Sequence, residues 1–147
     1  MKNYYPYPKR DAVKNYFPLP NEVFSLGLSS GEISVYSYLM YRENRETHQC
    51  HPSYKTIGKA TKMSPNTVRK YVDSLREKRL ITTEPTEIIT KNRCRRNGNL
   101  LYTIRPMEEA IRYHFEMQMR QAEEEKSRLE RMAKLENYDL KHPKSAG

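Results

Sequence analysis

Apolar positions first fall into a regular order at Ser29. Ser29-Ser30-Gly31-Glu32 has the S-x-x-E form of a capping box, and Ile33, Tyr36, Leu39 and Met40 follow at the spacing of one helix face. A polar stretch, 42–52, reads as a loop, after which Ser53 can cap a short second helix with Ile57 and Ala60 facing inward. Thr61-Lys62-Met63 makes a turn into a third helix over Ser64 to Arg79. Ser64 is a good N-cap, Pro65 suits the first helical position, and Val68, Val72 and Leu75 recur at i, i+4, i+7. The opposite face of that helix carries Asn66, Arg69, Lys70 and Asp73, flanked by Thr67 and Tyr71.

After Arg79 the period shifts toward two. Ile81-Thr82-Thr83 and Glu87-Ile88-Ile89-Thr90, then Leu100 to Ile104, predict two strands joined by a long tip that ends in Asn97-Gly98-Asn99. Pro85 should break or bulge the first strand and places it at an edge. Pro106 opens a long helical segment in which Met107, Ile111, Phe115 and Met119 form the stripe expected to cover the domain. Beyond it the helix is mostly polar, with acids four residues before bases at Glu108 and Arg112, Glu116 and Arg120, Glu124 and Arg128, and Glu130 and Lys134. Pro6, Pro8, Pro18 and Pro20 disfavour a regular helix, so the Tyr-rich start of the chain is expected to be an extended arm. The expected organisation is an N-terminal arm over 1–20, one domain over 21–105, a charged helix over 106–138 and a disordered tail over 139–147. The class is mainly α with a small β-hairpin, α+β.

Charge sharpens this outline. Of the 147 residues, 1–105 hold 19 basic and 9 acidic side chains, whereas 106–147 hold 8 and 9, so the formal +9 belongs to the domain rather than the helix. Such a field suits a polyanion, because each neutralised phosphate releases condensed counterions. The start of the chain lacks the apolar run of a signal peptide and no stretch reaches transmembrane length, so a cytoplasmic location is expected, with Cys50 and Cys94 as reduced thiols.

Three helices and a hairpin are the order of a winged helix, and the short turn at 61–63 has the form of a helix-turn-helix. In that arrangement the helix after the turn enters the major groove of double-stranded DNA. Arg69 and Asn66 can make paired hydrogen bonds to guanine and adenine, with Thr67 and Lys70 beside them to read bases or hold phosphate. Ser53, Tyr54, Lys55 and Thr56 open the second helix, where N–H groups and the dipole favour a phosphate. Lys91, Arg93, Arg95 and Arg96 on the wing would follow the backbone or enter the minor groove. The phrases Leu19-Pro20-Asn21-Glu22-Val23-Phe24, Leu28-Ser29-Ser30-Gly31-Glu32, 51–58 and Met63 to Tyr71 resemble the winged helix-turn-helix domains of bacterial plasmids, conjugative elements and phages. They are also similar to the N-terminal domains of plasmid replication initiators, whose large second domain these 147 residues are not expected to hold. The resemblance covers Leu19 to Ile104 and implies the fold more specifically than the role.

The reading is therefore a sequence-specific DNA-binding regulator of transcription in a mobile element. A replication-initiation or plasmid-maintenance factor at an origin would use the same surface, and a winged helix that docks another protein is a more distant alternative. A homodimer through the C-terminal helix or the N-terminal arm is left open. His48, Cys50 and His51 cluster in sequence and Cys94 could join them, but H-x-C-H is not a structural zinc spacing. No phosphate-binding Gly loop or nucleophile elbow occurs, so neither a cofactor nor an enzymatic activity is implied.

Overall fold

The structure, a computed structural model, describes residues 16–143. Residues 1–15 and 144–147 lie outside that description, and with them most of the expected arm and the end of the expected tail. At the arm's described end, Phe17 packs beside Tyr41, ring centroids 5.8 Å apart, and Leu19 reaches the core.

A single 3-10 turn at Asn21–Phe24 leads into α1 (Ser30–Arg42). The capping box forms: the Ser29 hydroxyl accepts from the Glu32 N–H, and the Glu32 carboxylate accepts from the Ser29 N–H. Helix α1 buries Val35, Tyr36 and Leu39, together with Gly31 and Glu32, whereas Ile33 and Met40 stay half-buried. The inward face is thus rotated slightly from the expected one. Glu32 is buried because Lys78 reaches it from 46 residues away, its Nζ 2.8 and 3.0 Å from the two carboxylate oxygens. Burial works against the charge, but hydrogen bonds from Lys78 and Ser29 outweigh it and hold the carboxyl below its ordinary range.

Residues 42–52 are not wholly loop. Gln49–Cys50 form β1, which pairs with β5 (Leu101–Ile104), and two residues are too few to show a period in sequence. Burial pushes the Cys50 thiol up to about 11, with the Glu43 carboxylate adding to the effect, so it stays a protonated core group. Cys94 lies exposed on the wing, and among the described residues no cluster of His, Cys, Asp or Glu could hold a metal.

Helices α2 (Tyr54–Thr61) and α3 (Pro65–Glu77) flank a turn in which Lys62 takes a left-handed conformation and the Met63 N–H donates to the Gly58 carbonyl. Ile57 faces the core as expected, but its companion is Gly58 and not Ala60, which is exposed. The absence of a side chain is what the site requires: a Cβ on Gly58 would lie 2.4 Å from the Met63 carbonyl oxygen. Val68, Val72 and Leu75 are fully buried and carry α3 into the core. The helix ends at Glu77, short of the expected Arg79, which is left-handed at φ 63°.

Strand β2 (Ile81–Glu84) pairs antiparallel with β5, giving a three-stranded sheet in the order β1-β5-β2 with Ile81 opposite Ile104 and Glu84 opposite Leu101. Pro85 breaks the strand, and β2 is indeed at an edge. The wing then forms a second hairpin, β3 (Glu87–Ile89) with β4 (Arg95–Asn97), in place of the single long tip expected, so that Asn97 belongs to a strand. Leu80, Ile81 and Tyr102 complete the core with Val23 and Leu39, and burial raises the Tyr102 hydroxyl far above its usual range.

Helix α4 (Met107–Lys141) runs three residues past the expected end at 138. Its contact face is also shifted. Ala110 is buried and Tyr113, His114 and Met117 are half-buried, while Ile111, Phe115 and Met119 of the expected stripe are exposed. The start of the helix sets this phase, because the Arg105 N–H is bonded to the Leu80 carbonyl and Pro106 directs the chain from there.

Candidate nucleic-acid interface

The polar face of α3 is open. Asn66, Arg69 and Lys70 are exposed, and Thr67 is half-buried, with its hydroxyl 2.9 Å from Ser64 Oγ at the cap. Ser64 Oγ also accepts from the Thr67 N–H, and Pro65 has none to offer, so the Asn66 N–H is the first-turn donor left over from helix bonding. Lys70 Nζ lies 5.8 Å from the centre of the Tyr71 ring, which steadies the side chain at the edge of the face. Tyr71 in turn lies over Gly31 of α1 so closely that a Cβ there would come within 2.2 Å of its ring.

The start of α2 is built the same way. Ser53 Oγ accepts from the Thr56 N–H at 3.0 Å and meets the Thr56 hydroxyl at 2.9 Å, leaving the N–H groups of Tyr54 and Lys55 at the positive end of the helix. Lys55 and Thr56 are exposed. Tyr54 is instead half-buried against the core, with Asp73, Arg69 and Arg76 in its surroundings; burial first, then the Asp73 carboxylate, raises its hydroxyl, and the two arginines oppose that.

Two contacts join these helices to the wing. Asn99 Nδ2 donates to the His51 carbonyl at 3.2 Å, holding the wing's return strand against the start of α2. Arg76 Nη1 donates to Thr83 Oγ1 at 3.0 Å, tying the exposed side of α3 to β2. Arg76 was not singled out from the sequence, although it stands seven residues after Arg69 and so falls on the same side of the helix. It extends the basic surface from the recognition helix toward the sheet.

The four basic wing residues do not converge. Lys91 and Arg93 sit in the turn, where Arg93 is left-handed at φ 57° and its N–H donates to the Thr90 carbonyl. Arg95 and Arg96 are consecutive in β4 and pair with Ile89 and Ile88, so they project from opposite sides of the hairpin. A duplex lying on one side of the wing meets one of them squarely, not both.

Over residues 26–81 the chain matches the family described as a helix-turn-helix domain. None of the curated proteins matches it. Among solved structures it is similar to a possible transcriptional regulator from Methanosarcina mazei Go1, at 15% identity and a TM-score of 0.50 over 74% of this chain and 82% of that one. It is also similar to MepR, a transcription regulator of the Staphylococcus aureus multidrug efflux pump MepA (15% identity, TM-score 0.38, 82% and 77% covered), and to a MarR-family transcriptional regulator from Silicibacter pomeroyi (14%, 0.39, 86% and 80%). At these identities the likeness is one of fold: a winged helix with a helix-turn-helix and a long C-terminal helix.

Proposed function

We propose that this protein binds double-stranded DNA in a sequence-specific manner and regulates transcription, in the setting of a bacterial mobile element. The observation that carries the reading is the open face of α3, where Asn66, Arg69 and Lys70 stand exposed beside a helix start at Ser53 and a basic wing bonded to it. Arg69 and Asn66 read base edges, and Thr67 and Lys70 share between bases and phosphate. The N–H groups of Tyr54 and Lys55, with Ser53 and Thr56, hold a phosphate, while Lys91, Arg93 and one of Arg95 and Arg96 follow the backbone. The half-burial of Tyr54 gives it the part of a rigid wall for that phosphate rather than a free contact. The mobile-element setting is supported by the likeness of the 19–104 phrases to domains of plasmids, conjugative elements and phages.

Selection of bound duplexes from a random pool tests the reading, followed by titration of the selected and a scrambled duplex at two salt concentrations. The expected result is an enriched motif and preferential binding to it. Replacing Arg69 by Ala should then cost about 1–3 kcal/mol and relax preference at one base pair. Equal binding of selected and scrambled duplexes would overturn sequence-specific recognition.

A further inference from the structure

From Gln118 to Pro143 every described residue is exposed, so more than half of α4 is left uncovered by its own domain. A polar helix could stand so in water, but this one carries an apolar stripe. Ile111, Phe115, Met119 and Leu129 are 41–61% exposed and, with Ala122 and Ala133, recur at the spacing of one face. This face lies about a third of a turn around the helix from the one that Ala110 and Met117 set against the domain.

We infer that the stripe is covered by the same stripe of a second copy, the two α4 helices lying antiparallel with Gln121 opposite Gln121. Charge fixes both direction and register. In an antiparallel two-fold pair each flank of the seam faces the same flank of the other helix. On the side of the seam bearing Arg112, this register sets Arg112 opposite Glu130 of the second copy and Glu108 opposite Lys134, while Lys126, which lies within the stripe between Ala122 and Leu129, comes level with Glu116, and each pairing occurs twice. Sliding one helix by a turn in one direction sets Arg112 against Lys134 and Glu116 against Glu130. Sliding it in the other sets Arg112 against Lys126 and Glu108 against Glu130. Both neighbouring registers are therefore repulsive. In the attractive one, Leu129 of one copy drops between Ile111 and Phe115 of the other, and Ala122 lets the helices approach where they cross. A parallel pair would set this flank against the other one and would crowd the two basic domains at one end. At 1.5 Å per residue the two Ala110 anchor points lie about 33 Å apart along the pair, close to one turn of DNA.

The inference rests on α4 and not on DNA binding, so it is tested on the full chain without DNA, by sedimentation equilibrium. The expected species is a dimer whose dissociation constant rises about tenfold in Arg112→Glu and, separately, in Glu130→Arg, and returns to the starting value when the two are combined. Circular dichroism confirms that each variant stays folded. In a Cys94→Ser background, Ala122→Cys should be joined to its counterpart by a short bis-maleimide, and Leu129→Cys should not. A monomer at all concentrations, or a loss that the double exchange does not restore, overturns the pairing. Crosslinking at both positions would show a parallel pair and overturn it equally.

Discussion

Gly58→Ala is the sharpest test of how the helix-turn-helix is held. The added Cβ would lie 2.4 Å from the Met63 carbonyl oxygen, about 1 Å inside an ordinary C···O contact. That oxygen cannot easily swing away. Its own residue donates from N–H to the Gly58 carbonyl at 2.9 Å, Lys62 before it is held at φ 60°, and Ser64 after it is fixed by capping α3. Relief must come from moving α2 against the turn, and overpacking of this kind costs about 1–3 kcal/mol. Against it stands the gain of up to about 1 kcal/mol from replacing glycine by alanine within a helix. The expected net loss is about 1–2 kcal/mol, a fall in Tm of roughly 5–15 °C for a domain of this size. Urea unfolding followed by circular dichroism measures it, with Ala60→Gly as the calibration. Ala60 is exposed two residues further along the same helix, and its exchange should show the propensity effect alone, a loss of about 1 kcal/mol. If Gly58→Ala were as stable as the parent while Ala60→Gly lost its expected share, close approach would not be the reason for glycine at 58.

Lys78→Met should destabilise the fold by about 2–3 kcal/mol, since it strands the buried Glu32 carboxylate, and Glu32→Gln in the same chain should recover part of that in urea titrations. Because the folded-state pKa of Glu32 is lowered, its contribution is present above the ordinary carboxylate range and is lost as pH falls through the folded value; an unchanged acid limb in Glu32→Gln would contradict this. Gly31→Ala should displace the Tyr71 ring, for a loss of no more than about 1 kcal/mol once alanine's helix preference is set against it, and a double-mutant cycle with Tyr71→Ala should show the two positions coupled; additive losses would show that the contact is not the cause. Replacing Arg95 and Arg96 by Ala one at a time should reduce the salt dependence of DNA binding by about one unit in one case and by little in the other, and equal effects would contradict their placement on opposite sides of the wing.

What could be read in the sequence was what neighbouring residues decide among themselves. The caps at Ser29, Ser53 and Ser64 and the Val68-Val72-Leu75 stripe are local chemistry, and each is found in the structure. The strand at 49–50 has no pattern of its own and exists because β5 offers an edge. Gly58 showed no core signal because its role is to lack a side chain where another backbone passes. The Glu32–Lys78 pair spans 46 residues, so the capping box was visible but the reason for burying its acid was not. Ile111, Phe115 and Met119 formed a legible stripe whose target was misjudged, since periodicity defines a face without saying what lies against it. At the interface, the exposure of Asn66, Arg69 and Lys70 follows from the same α3 period, whereas the division of Arg95 and Arg96 between two sides needed the β4 register.

The wing hairpin pairs only with itself and meets the sheet through the short passage at Pro85–Thr86 and Gly98–Asn99. All residues of β3 and β4 are exposed, so none of their side chains supports the core. Mutation there is released from the demands of folding, and the tip can change length, charge or sequence while the domain beneath it keeps its stability. A tip of different length or charge should therefore be accepted by this frame without loss of its stability.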